Sequence, residues 1–102
     1  MGDDPNQKKW QILLQRVLHG PGLVAPAVRQ KAADNRGLAG APAAWVQQVH
    51  ADALRTTDAQ LDALRPTHSE AQIFELTVAA ATGAGRYRLD RALALLEETE
   101  VA

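Results

Sequence analysis

The chain has 102 residues, 46% of them hydrophobic, 23% charged and 4% aromatic, with a formal charge of −1. That length builds one small domain and leaves no room for a second independent core. With no cysteine, the chain forms no disulfide, offers no thiolate nucleophile and supplies no Cys-ligated metal centre.

The near-neutral balance gives no global field to gather nucleic acid or an anionic membrane. No apolar run approaches the roughly 18 residues of a membrane span, and the opening MGDDPNQKKW lacks a signal-peptide apolar region. These features lead to the expectation of a cytoplasmic protein that engages neither nucleic acid nor membrane. Alanine is the commonest residue, and runs of β-branched and aromatic residues are nearly absent. Alanine loses no side-chain entropy in a helix, so the chain reads as a single all-α domain of five to six helices, residues 1–102.

The first helix is expected to start near Asp4, with Pro5 at its first position and Asp3 and Asp4 favourable at the positive end of the dipole. Trp10, Leu13, Leu14, Val17 and Leu18 form its apolar stripe. Gly20, Pro21 and Gly22 stop it, glycine by a positive-φ exit and proline by its missing N–H. A short second helix over residues 26–35 carries Ala27, Val28 and Ala32 on a weak apolar side. Glycines and alanines over residues 37–42 make the next joint. A third helix then starts at Pro42, with Trp45, Val46, Val49 and Ala53 on one face.

Thr57 and Gln60 have capping-box spacing and open a short helix carrying Leu61 and Leu64. Pro66 ends it, and Arg65 is expected to leave the α region because proline follows. Thr67 with Glu70, or Ser69 with Gln72, starts the last segment. Gly83 and Gly85 interrupt its apolar pattern, but Val78, Ala81, Gly85, Leu89, Ala92 and Leu96 keep helical phase across them. A long C-terminal helix is favoured over a kinked helix pair, since two glycines cost only about 2 kcal/mol against alanine.

No histidine has a carboxylate or second imidazole at the spacing a helical metal pair needs, so neither a metal nor a cofactor is expected. His50 lies beside the apolar face of Trp45, Val46 and Val49. It reads either as a half-buried structural histidine or as an acid–base group. Glu75 borders the face of Ile73, Phe74 and Val78 and is the candidate partner for His50. Arg86 is the candidate anion holder.

The segment from Val46 to Leu96 resembles the carboxymuconolactone decarboxylase and alkylhydroperoxidase-D-like superfamily. The residues that carry the resemblance are Val46-x-x-Val49-His50-x-x-Ala53, Thr57-Asp58-x-x-Leu61-x-x-Leu64, Ser69-Glu70-x-x-Ile73-Phe74-Glu75-Leu76-Thr77-Val78 and Leu89-x-x-Ala92-Leu93. It implies an all-helical protomer that assembles into homo-oligomers. Counting back from His50, the cysteines of the superfamily's peroxidase branch fall at Ala43 and Val46, and its aromatic at Trp45. Without thiols that activity does not carry over.

Two functions follow as expectations. The first is a homo-oligomeric, non-catalytic interaction module joined through Ile73, Phe74, Val78, Leu89, Leu93 and Leu96, or bound to an unidentified protein. The alternative is an acid–base enzyme acting on a small organic acid or lactone, with His50 and Glu75 as catalytic pair and Arg86 on the carboxylate. The sequence leans to the module.

Overall fold

A computed structural model describes residues 5–101, with side chains over 8, 9 and 11–98. The expected cap at Asp3 and Asp4 and the side chain of Trp10 lie outside the described residues. Five α-helices follow one another: α1 (Pro5–His19), α2 (Pro26–Asp34), α3 (Gly40–Asp52), α4 (Asp58–Leu64) and α5 (Glu70–Val101). A single 3-10 turn, Ala53–Arg55, joins α3 to α4, and there is no strand among the described residues. The all-α expectation is met.

Local chemistry sets most boundaries. Asn35 closes α2 in the left-handed conformation (φ 55°), and the Arg36 amide returns to the Lys31 carbonyl at 3.1 Å. Asparagine tolerates that conformation better than most side chains, which is why it stands where glycine often does. Thr57 and Gln60 form the capping box of α4 reciprocally. At the start of α5, Ser69 and Gln72 do the same, at 3.1 and 2.8 Å.

Several expectations are corrected. Helix α3 starts at Gly40, two residues before Pro42; the proline's missing N–H falls within the first turn, where amides have no intrahelical acceptor. Neither Gly20 nor Gly22 has positive φ; Gly37 and Gly40 do. Gly20 instead donates to the Arg16 carbonyl at 3.0 Å. Arg65 stays in the α region (φ −55°, ψ −36°) despite Pro66. The Leu64 carbonyl continues the turn by accepting from the Thr67 and His68 amides, which outweighs the steric preference. Ala27 faces outward, and the buried side of α2 is Arg29, Ala32 and Ala33.

Helix α5 is the axis of the molecule. Its 32 residues span about 48 Å at 1.5 Å per residue, close to the 51 Å longest dimension of the whole chain. Helices α1, α2 and α3 pack on its first half, and α4 packs on α3. There Ile73, Leu76, Ala79 and Ala80 join Trp45, Val46, Val49, Leu64, Ala32 and Ala33 in one core. Ala84 is the last buried position among the described residues of α5.

The two glycines of α5 differ in kind. At Gly83 the backbone of α2 lies directly on α5, and a Cβ there would overlap the Ala33 carbonyl. At Gly85 a Cβ would meet nothing within 4 Å. Gly83→Ala is therefore expected to lower stability by about 1–3 kcal/mol through overpacking. Gly85→Ala should raise it by up to about 1 kcal/mol through helix propensity. Urea titrations of both variants at low protein concentration check this, and equal effects of the two would refute the distinction.

Candidate functional site

The segment between α1 and α2 is held by two charges. Arg29 is 4% exposed. Its Nε donates to the Val24 carbonyl at 3.0 Å, one terminal nitrogen to the Val17 carbonyl at 2.8 Å, and the other to the Gly20 carbonyl. A guanidinium carries five donors in a rigid fork, which suits it to gather carbonyls that a helix end leaves unpaired. The end of α1 is also the negative end of its dipole. From the other side, the Glu75 carboxylate accepts from the Leu23 amide at 2.9 Å and the Val24 amide at 2.7 Å. Val24 thus binds a carboxylate through its N–H and a guanidinium through its carbonyl. Gly22 leaves the space for this, since a Cβ there would overlap Glu75 Oε1.

Sequence reasoning missed Arg29. Its partners lie 5 to 12 residues away in a loop whose path no local pattern reveals. The only usable signal was a long charged residue on an otherwise weakly apolar short helix.

His50 is half-buried on α3, and its Nε2 donates to the Ala32 carbonyl of α2 at 2.8 Å. Its own carbonyl accepts from Arg88 of α5 at 2.7 Å. The residue ties α3 to both neighbouring helices. Next to it, Trp45 Nε1 donates to Thr77 Oγ1 at 2.9 Å, so the buried indole has its hydrogen bond.

An open cleft of about 910 Å³ lies between α1, the end of α2, α3 and α5. Leu14, Leu18, Ala33 and Gly83 contribute apolar surface, and His50, Gln47, Arg36, Arg86, Tyr87 and Asp90 contribute polar groups. The structure thus brings His50 and Arg86 to one concavity. Glu75 is not part of that lining, and its carboxylate is engaged with the Leu23 and Val24 amides. The expected His50–Glu75 pair is not formed. Arg86 itself is bound to Asp90, Nε to both carboxylate oxygens at 3.2 Å. Neither Ala43 nor Val46 lines the cleft, and Val46 is buried in the core.

The expected interface residues divide. Ile73 is buried in the protomer's own core, a correction to its place on an outer face. Phe74, Leu89, Leu93 and Leu96 are exposed, and Val78 is half-buried. Among the described residues no group of three or more histidines and carboxylates converges as a metal site, and no helix is long and apolar enough to cross a membrane.

No protein-family model, curated protein sequence or solved structure matches this chain.

The stabilities of three variants test the roles of Arg29, Glu75 and His50. Arg29→Met keeps the aliphatic stem but strands three carbonyls, and should cost about 3 kcal/mol or more. Glu75→Gln retains one acceptor and should cost about 1–2 kcal/mol. His50→Ala removes the Ala32 bond and part of the packing, for about 1–3 kcal/mol. Melting curves identical to wild type for all three variants would refute these roles.

Proposed function

We propose that this protein is a non-catalytic helical module that works in the cytoplasm by associating with a second copy of itself through α5. The observation that carries the proposal is the outer side of that helix. Phe74 is 69% exposed, Leu89 47%, Leu93 49% and Leu96 60%, although all four lie on one regular element. Single exposed apolar residues are ordinary on protein surfaces; a row of them along a helix that other helices have left bare favours a partner.

The engagement of the candidate catalytic groups supports the same reading. Glu75 binds two backbone amides and His50 a backbone carbonyl, so both act in closing the fold. The chain's sequence pattern supports placing it as a cysteine-free relative of the carboxymuconolactone decarboxylase and alkylhydroperoxidase-D-like superfamily, whose members form homo-oligomers. That placement rests on the motifs from Val46 to Leu96 and gives the module no peroxidase activity, because the chain has no thiol.

The cleft favours a second reading. His50 and Arg86 share it, an arrangement suited to holding a small carboxylic acid beside a proton carrier. In that reading, adding small mono- and dicarboxylic acids shifts the His50 ring resonances, and Arg86→Gln abolishes the shift.

Sedimentation across a wide concentration range tests the association. The expected result is a species heavier than the 11.0 kDa chain, reduced to monomer by the double substitution Leu89→Asp and Leu96→Asp with an unchanged melting profile. A wild-type chain that sediments as a monomer at every concentration would refute the module reading.

A further inference from the structure

We propose that two copies join by antiparallel packing of α5, with the two-fold axis at Gly85; this rests on the self-association reading above. The side of α5 turned away from the core carries Phe74, Val78, Ala81, Gly85, Leu89, Ala92 and Leu96. Their spacings are four, three and four residues, taken twice. An 11-residue repeat advances 3.67 residues per turn, close to the 3.6 of a straight helix, so the row stays on one side for its whole length. None of its positions is charged. None is fully buried within the protomer.

The row reads the same in both directions about Gly85. Antiparallel packing sets Gly85 against Gly85, Ala81 against the second copy's Leu89, and Val78 against its Ala92. Phe74 meets Leu96 at each end. Large residues thus face small ones beside the crossing point, the arrangement that fills an interface without gaps. A parallel pair would set leucine against leucine and alanine against alanine, leaving bulges and voids in turn.

Charge bears less on the orientation. Glu97 and Glu98 follow the row and are exposed. In a parallel pair the two acidic ends lie side by side. In the antiparallel pair each lies by the amino-terminal turn of the other α5, where the dipole favours negative charge but Glu70 already stands.

Gly85 supplies a further argument. A glycine inside a helix is destabilising, and here no neighbour in the protomer requires it. Close approach of a second backbone at the crossing point requires it. With Thr82, Arg88 and Leu93 at the edges, each copy commits about ten residues, against the roughly 20–30 per side of a standard interface. The interface is accordingly smaller than a standard one.

The chain has no cysteine of its own, so disulfide trapping is unambiguous. Two full-length single variants, Ala81→Cys and Leu89→Cys, are oxidised separately and as an equimolar mixture at high micromolar concentration. Both positions are exposed, so neither substitution disturbs the core. The expected product is a cross-link between position 81 of one variant and position 89 of the other, at least fivefold over either self-link. Gly85→Leu should weaken dimerisation at least tenfold while leaving the chain folded. Self-links at 81 and at 89 would show a parallel dimer and overturn this inference alone. A dimer by sedimentation with no cross-link would place the contact elsewhere and also overturn it alone. A wild-type monomer at every concentration would overturn both this inference and the module reading.

Discussion

Between the Ala33 carbonyl and Gly83 there is no room for a methyl group, and that lack of room fixes how α2 lies on α5. Nine residues long, α2 then places the rest. Its Arg29 gathers the carbonyls at the end of α1, and its Ala32 carbonyl receives His50 from α3. A helix that short has little stability of its own, so its contribution is positional. It meets α5 and α3 through its backbone carbonyls and α1 through the Arg29 side chain, and so sets the positions of three longer helices.

The same arrangement explains why the polar groups of the interior sit where they do. A buried guanidinium is tolerable when its donors are satisfied, and Arg29 has three carbonyls within reach. Glu75 approaches the same loop from α5 and engages the amides that Arg29 leaves over. The loop is therefore enclosed between opposite charges that act through peptide groups. Of the residues that look like a catalytic set when read along the chain, His50 joins α3 to α2, Glu75 ties α5 to the loop before α2, and Arg86 pairs with Asp90 on its own helix.

What the sequence revealed follows from the range of each interaction. Thr57 with Gln60 and Ser69 with Gln72 are three residues apart, and their caps were legible because the partners are adjacent in the chain. The continuity of α5 was legible because Val78, Ala81, Gly85 and Leu89 keep helical phase through the glycines. The Glu75 contacts cross 51 and 52 residues, and no local pattern specifies a partner that far away. The two glycines looked alike for the same reason, since only the position of α2 distinguishes Gly83 from Gly85. Arg65 shows the reverse case. A sound local rule about residues before proline yielded to the Leu64 carbonyl, which gains two donors by continuing the turn.

The uneven cover along α5 has a consequence for how its backbone opens. Its first half is packed against the core along one side, so opening the backbone there breaks that packing, which slows exchange of its amides. Beyond Ala84 the protomer places no comparable cover over the helix, so those amides open by local unwinding from the carboxy-terminal side. One continuous helix should therefore hold two regimes of hydrogen exchange, with the change between them near the glycines. Slow exchange in the outer half would have its source outside the protomer.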